Sequence, residues 1–439
     1  MYEPTSRRDF LTLASAGLAA TAASTANTAR AVSKGPNDKI VVGLIGCGGR
    51  GTHDAEVFKN TPNVEVAYCS DVDDARRQAT AAKLGIETSR AVADFRRILD
   101  DPSVDAVIVA TPDHWHSPAS ILACDAGKHV YVEKPISHNI REGRLLVEAA
   151  TRNKVLVQHG TQVRSTPMMI EAVKLLREGI IGDVLVAKCW NIQRRGALPP
   201  GMDTDPPAGF DYDTWVGPAT MIPYRTNRVH NRWTMWYHFG VGESGNDGVH
   251  DIEYTRWGLG VEGHPNKISA LGGKYFTDDE KEFPDTQQVS FEYSGDGKTG
   301  SQRMLIYEQR LWSTNYPHNC DSGAEFYGTK GQMFLSRRGK LEVMNERSKP
   351  VAINVELGPQ NDVLHVKNLC DAIRGVAKLN ADALVGHLST SLAHLANIAT
   401  RVGRSLNFDP LKEQIIGDEE ANKLVSREYR EHWGTPRGV

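Results

Sequence analysis

The sequence predicts an α/β protein: a doubly wound parallel sheet of the Rossmann type, followed by a second α/β domain. Three observations predict it. A glycine-rich loop closes an apolar strand-like run, strand-like and helical runs then alternate, and 439 residues exceed what one core usually holds. The strand-like runs fall at 39–45, 64–70, 104–110, 129–132 and 155–158. Helical stretches lie between them near 49–59, 73–84, 94–99, 117–126 and 141–152. Such alternation calls for parallel strands joined by crossover helices.

The first turn is the most specific element. It carries Gly46, Gly48 and Gly51 in G-x-G-x-x-G spacing, with Gly49 and Arg50 between them. The first glycine permits the tight turn, the second lets backbone approach a pyrophosphate, and the third lets the next helix pack closely. The helix N-terminus behind them favours negative charge. Asp71 ends the second run, 20 residues past Gly51, where a carboxylate would accept the adenosine ribose hydroxyls. An acid there repels a 2′-phosphate, so the expected cofactor is NAD rather than NADP. The carboxyl ends of the later strands should line the same crevice. Thr111, Pro112, His114 and His116 sit at one of them, Glu133 and Lys134 at the next, and a core requires none of these residues.

Charge is nearly balanced, with 51 basic and 54 acidic residues and a net of −3, so nothing marks a nucleic-acid partner. No run approaches the length of a membrane span, and no cysteine follows the N-terminal apolar stretch to carry a lipid anchor. Residues 1–31 read as a twin-arginine export signal: Ser6-Arg7-Arg8-Asp9-Phe10-Leu11, a short apolar stretch, then Ala29-Arg30-Ala31. That predicts a periplasmic or secreted protein exported already folded. The six cysteines form no C-x-x-C pair and read as buried free thiols.

The chain resembles the Gfo/Idh/MocA oxidoreductase family at Ala110-Thr-Pro-Asp-His-Trp-His116 and Val132-Glu-Lys-Pro-Ile136. The resemblance continues at Phe210-Asp-Tyr-Asp-Thr-Trp-Val-Gly-Pro218, at Gly245-Asn-Asp-Gly-Val-His250 with Arg256-Trp257, and at Gly386-His387 with His394-Leu-Ala-Asn-Ile398, the last similar to a helix of secreted bacterial members. It implies a Rossmann domain over 38–160 and a C-terminal domain over 161–439. In the latter an open, largely antiparallel sheet would cover the nicotinamide and mediate homo-oligomer contacts, with the last helices packing back on the first domain.

Oxidising an alcohol requires a base near neutrality and a cation that favours the alkoxide. By resemblance Lys134 lies beside substrate and nicotinamide, and His250 is the proton acceptor. Many family members carry an aspartate four residues before that histidine; here Asn246 stands there and Asp247 three before. Asp247 either polarises His250 across a helical turn or caps the helix, and in the first case Asn246 bonds substrate. The 224–237 segment, dense in rings and arginines, suits either a sugar or a packed interdomain loop. Trp236 and Tyr237 join Asn246 and Arg164 as substrate-binding candidates. His114-x-His116 and His250-Asp251 could offer metal ligands, but nothing makes them converge and no metal is expected. The reading is an NAD-dependent oxidoreductase acting on a small carbohydrate, that is, a sugar, polyol or glycoside. Two alternatives stand beside it: a redox-neutral glycoside hydrolase or lyase working through a transient keto-sugar, and a non-catalytic sugar-binding protein.

Overall fold

The computed structural model describes residue 35 and residues 38–230 and 232–439, so the expected export signal lies outside the described residues. The first sheet holds six parallel strands: β1 (Ile40–Ile45), β2 (Val64–Ser70), β3 (Ala91–Val92), β4 (Ala106–Val109), β5 (His129–Val132) and β6 (Val157–His159). Their order is β3-β2-β1-β4-β5-β6, so the chain reverses direction across the sheet between β1 and β4. At that switch point the loops at the carboxyl ends diverge and leave a crevice. Crossovers are α1 (Gly49–Lys59), α2 (Asp74–Leu84), α3 (Arg96–Leu99), α4 (Asp113–Asp125) and α5 (Ile140–Asn153). The strands are buried on both faces, as a sheet flanked by helices on each side requires.

Helix α4 departs from the expected start at 117: it begins four residues earlier, so the 113–116 part of the motif is helical rather than loop. The earlier start leaves Pro118 within the helix rather than at its first turn. There its missing N–H frees the carbonyl of His114. The guanidinium of Arg427 donates to that carbonyl at 3.0 Å, which removes the reason to break the helix. The two-residue strand β3 has too short a run to be read from sequence.

The second domain is built on nine strands in the order β13-β12-β11-β7-β10-β9-β8-β14-β15. These are β7 (Val184–Asn191), β8 (Lys267–Gly273), β9 (Thr286–Tyr293), β10 (Arg303–Arg310), β11 (Ser322–Gly328), β12 (Gly331–Ser336), β13 (Lys340–Asn345), β14 (Leu406–Asp409) and β15 (Gln414–Ile415). Only β7 and β10 pair in parallel; the other neighbours are antiparallel. Burial alternates along β9, with Val289 and Phe291 inward and Gln288 and Glu292 outward, the mark of a sheet with one face to water. The helices here are α6 (Pro167–Arg177), α7 (Tyr212–Val216), α8 (Val249–Leu259), α9 (Asp362–Ile373), α10 (Ala383–Val402) and α11 (Glu419–Lys423). Helix α8 packs on β7 and β11, with Ile252 and Tyr254 in the large core beside Tyr307, Phe291 and Phe326.

The chain returns to the first domain near its end. Val366, Leu369, Cys370 and Ile373 of α9 share a core with Ile40, Val42, Leu44 and Phe58, and Trp433 packs on Phe95 and Trp115. All six cysteines are buried and free. No helix among the described residues is long and apolar enough to cross a membrane. Leu369 is completely buried, so Leu369→Ala should cost about 2–5 kcal/mol, the range for a core leucine truncated to alanine. Urea melts of the two proteins check this, and an unchanged midpoint contradicts the packing described.

Candidate functional site

At the end of β1, Gly46 takes φ +99°, and a Cβ there would meet the Ala110 carbonyl oxygen at 2.6 Å. A Cβ on Gly51 would lie 2.0 Å from the Gly46 carbonyl oxygen, so α1 can pack this close only with glycine. The turn delivers the N-terminus of α1 with no side-chain cap and no acid in its first turn, which leaves its N–H groups free for phosphate oxygens. Asp71 faces the same loop. Its carboxylate accepts from the Cys47 N–H at 2.7 Å and the Asp73 N–H at 2.9 Å; burial raises its pKa while these donors oppose the rise.

These groups line a cleft of about 320 Å³. Gly46, Gly48, Gly49, Arg50 and Asp71 form one end. Thr111, Pro112, Asp113 and His116 follow, and Glu133, Lys134 and Asn246 lie further along. Among the described residues the buried Thr111 hydroxyl has no hydrogen-bond partner, and a Cβ on Gly49 would meet nothing within 4 Å. An orphaned hydroxyl and an open glycine cradle beside an uncapped helix fit a dinucleotide.

Glu133 anchors the cleft floor. It is 3% exposed, and it accepts from Arg50 Nε at 3.0 Å and Gln162 Nε2 at 2.9 Å. Burial opposes its charge, but Arg50 and Lys134 hold its pKa below the usual carboxylate value. Arg50 also pairs with Asp54 at 2.9 Å and with Asp362 of α9 at 3.0 Å. The next residue, Lys134, precedes a cis proline and donates from Nζ to the Asn246 carbonyl oxygen at 2.5 Å and to Asn246 Oδ1 at 3.1 Å.

Asn246 and Asp247 sit in a π-helical turn, Ser244–Gly248, that feeds α8. The wider turn changes which side chains align, and Asp247 neither caps α8 nor hydrogen-bonds His250. It binds Arg195 at 2.7 Å and Arg337 at 3.0 Å, and these cations with Lys134 more than offset its burial and hold its pKa low. His250 is 5% exposed, and its Nδ1 has no hydrogen-bond partner among the described residues. Burial first, then Arg337 and Lys134, push its pKa well below the ordinary imidazole value, with Asp247 opposing. The imidazole is therefore neutral at physiological pH and keeps a lone pair for a proton. Arg195, Glu243 and Arg337 complete this network and were not expected from sequence. Arg195 and Arg337 follow strands β7 and β12, and no local motif marks them.

Other expected site residues lie elsewhere. His114 is buried, with Nε2 2.8 Å from the Trp215 carbonyl oxygen and Nδ1 3.4 Å from that of Phe239, and burial pushes its pKa down to about 3. It ties the second domain's loops to the first instead of lining the cleft. His116 lines the cleft, but its nitrogens meet the carbonyl oxygens of Pro135 at 2.6 Å and Thr111 at 2.8 Å. Arg164 pairs with buried Glu253 and stacks on Trp257 at 4.5 Å, away from the cleft. Trp236 is buried in an aromatic cluster with Phe210, Trp215 and Phe239, and Tyr237 faces Phe283. Their segment makes a short 3-10 turn at Trp233–Met235, and this sends His230 and Trp233 to the cleft in their place.

Residues 40–161 match an oxidoreductase family described by its NAD-binding Rossmann fold, and residues 190–435 match the C-terminal α/β domain of the same family. An inositol 2-dehydrogenase of Saccharopolyspora erythraea is 33% identical over 198 residues, 44% of this chain and 58% of the relative. A glycosyl hydrolase family 109 protein of Solibacter usitatus is 34% identical over 200 residues, 42% of this chain and 44% of the relative. The chain thus matches about half the length of these curated relatives. A levoglucosan dehydrogenase solved in complex with NADH and levoglucosan superposes with a TM-score of 0.65 at 18% identity, covering 84% of this chain and 99% of that one, and shares the fold.

Asp113, at the start of α4, accepts from the Val241 N–H at 3.1 Å, and its pKa is pushed up to about 7 by burial, against the pull of Lys134. A carboxyl raised in the folded state still holds a proton that the unfolded chain has lost, so between about pH 4 and 7 it lowers stability as pH rises. Asp113→Asn should therefore flatten the decline in unfolding free energy over that window. Urea melts at several pH values measure this, and parallel curves for the two proteins contradict it.

Proposed function

Since the chain belongs to the Gfo/Idh/MocA oxidoreductase family, with an NAD-binding Rossmann domain at residues 40–161, we propose that it is an NAD-dependent dehydrogenase of a sugar, polyol or glycoside. The observation that carries the proposal is Lys134 in the dinucleotide cleft, bonded to Asn246 of the π-helical turn that leads straight into α8, whose first turn carries His250. NAD, when bound, supplies hydride acceptance and return. The Lys134 ammonium stabilises the developing alkoxide, and Asn246 holds that ammonium through two acceptors. His250 takes the hydroxyl proton as a neutral imidazole; its burial, Arg337 and Lys134 oppose that uptake, and Asp247 favours it. Asp247 is a positioning residue: it holds Arg195 and Arg337, and through them fixes the field around His250.

The inositol and levoglucosan dehydrogenases support a polyhydroxylated substrate. The family 109 glycosyl hydrolase relative supports a second reading, in which transient oxidation two carbons from the anomeric centre acidifies the C–H between them, so that a glycoside loses that proton, eliminates its anomeric leaving group, adds water to the resulting enone and takes the hydride back. An oligomer built through the C-terminal sheet is supported by the exposed Leu271, Phe276, Met304 and Trp312. Export of the folded protein to the periplasm rests on Ser6-Arg7-Arg8-Asp9-Phe10.

A glycoside deuterated at the carbon next to the anomeric centre separates the two chemistries. Net dehydrogenation retains the label in single turnover while NADH absorbance rises; the hydrolytic route washes it into solvent with no NADH remaining. His250→Ala should slow either reaction by roughly 10²-fold or more while NAD still copurifies. Near-normal turnover would remove His250 from proton transfer. Fractionation of cells expressing an Arg7→Lys/Arg8→Lys variant should find the protein retained in the cytoplasm, and wild-type export would end the secretion proposal.

A further inference from the structure

A second cavity, of about 690 Å³, shares no lining residue with the cleft. It forms where His138 and Asn139, the 237–241 loop, helix α10 and the 423–428 tail meet. One wall is aromatic: the rings of Tyr237 and Phe283 lie 4.3 Å apart, centroid to centroid, and the Arg401 guanidinium sits 4.3 Å over Tyr237. Arg401 and Lys423 are exposed and form no ion pair among the described residues. Arg427 is already neutralised by Glu142 at 2.7 Å. Burial pushes the His394 pKa down to about 3, so that ring adds no charge. The side chains of Ser426 and Glu428 also line the cavity and bond no other described residue.

We propose that this cavity binds a sugar carrying a carboxylate, such as a uronic acid, independently of what the cleft catalyses. The rings of Tyr237 and Phe283, tilted 53° to each other, offer an apolar corner to the C–H groups of a pyranose, Arg401 and Lys423 suit the carboxylate, and Ser426 and Glu428 suit hydroxyls. A bare phosphate would satisfy the cations but leave the rings uncovered; a neutral sugar would leave both cations unpaired. The cavity also touches the cleft's framework. Asn397, in its wall, donates to the Val241 carbonyl oxygen at 2.8 Å, and the Val241 N–H binds Asp113 of the cleft.

Calorimetric titration of the NAD-loaded protein with D-glucuronate, D-glucose and inorganic phosphate tests this. Glucuronate should bind with glucose and phosphate at least tenfold weaker. Arg401→Gln and Lys423→Gln should each weaken glucuronate by on the order of tenfold, as for a lost charge-assisted hydrogen bond, with unliganded melting temperatures unchanged. Lys134→Met should leave glucuronate affinity intact. Equal binding of phosphate or of glucose, loss of glucuronate on Lys134→Met, or no binding at all would each overturn the proposal.

Discussion

The buried carboxylate of Glu133 is the point on which the site depends. It sits at the end of β5 in a position 3% exposed, and a charge so placed is stable only if fully partnered. Its partners come from three parts of the chain: Arg50 from the glycine loop, Gln162 from the entry to the second domain, and Asp362 from α9 acting through Arg50. Removing one partner of such a buried pair costs about 3–5 kcal/mol because the other charge is stranded. That cost keeps the dinucleotide loop, the second domain and α9 in one arrangement. Lys134 is the next residue, so the arrangement that satisfies Glu133 also aims the ammonium at Asn246.

A second layer of charge follows the same logic. Asp247 and buried Asp251 oppose Arg337, while Asp247 and Glu243 oppose Arg195. Burial first, and then the Arg337 and Lys134 cations, disfavour a charge on His250, and the carboxylates compensate the buried guanidinium groups. His250 Nδ1 and Arg337 Nε are left in this cluster as buried nitrogens without a hydrogen-bond partner among the described residues. Uncompensated polarity at a buried atom has a free-energy cost, and such atoms concentrate where a ligand completes them.

What could be read in advance followed from locality. The glycine turn, Asp71 and the parallel strands are set by short-range spacing, and α1 runs over Gly49–Lys59 as its pattern indicates. Errors arose wherever a distant residue decides. The start of α4 depends on Arg427 accepting the role Pro118 vacates, more than three hundred positions downstream. Trp236, Tyr237 and Arg164 have the composition of a sugar site, yet tertiary contacts send them to an aromatic core, a second cavity and a buried ion pair. Asp247 failed as a helical neighbour of His250 because the backbone there is π-helical, and Arg195 and Arg337 reach the site only through strand order in the second sheet.

The return of α9 to the first domain bears on how the protein is made. Val366, Leu369 and Ile373 complete the core beneath β1 that Ala55 and Phe58 of α1 and Ala81 and Leu84 of α2 cover only in part, so a nascent chain that ends at the six-stranded sheet leaves the rest of that apolar face open. The missing piece is synthesised after strands β7 to β13. Closure of the first core therefore waits on contacts of very long sequence separation, the slow class of folding event. The packing around the nucleotide crevice is thus finished by a helix that lies beyond most of the second sheet in the chain, which ties the two domains into one folding problem.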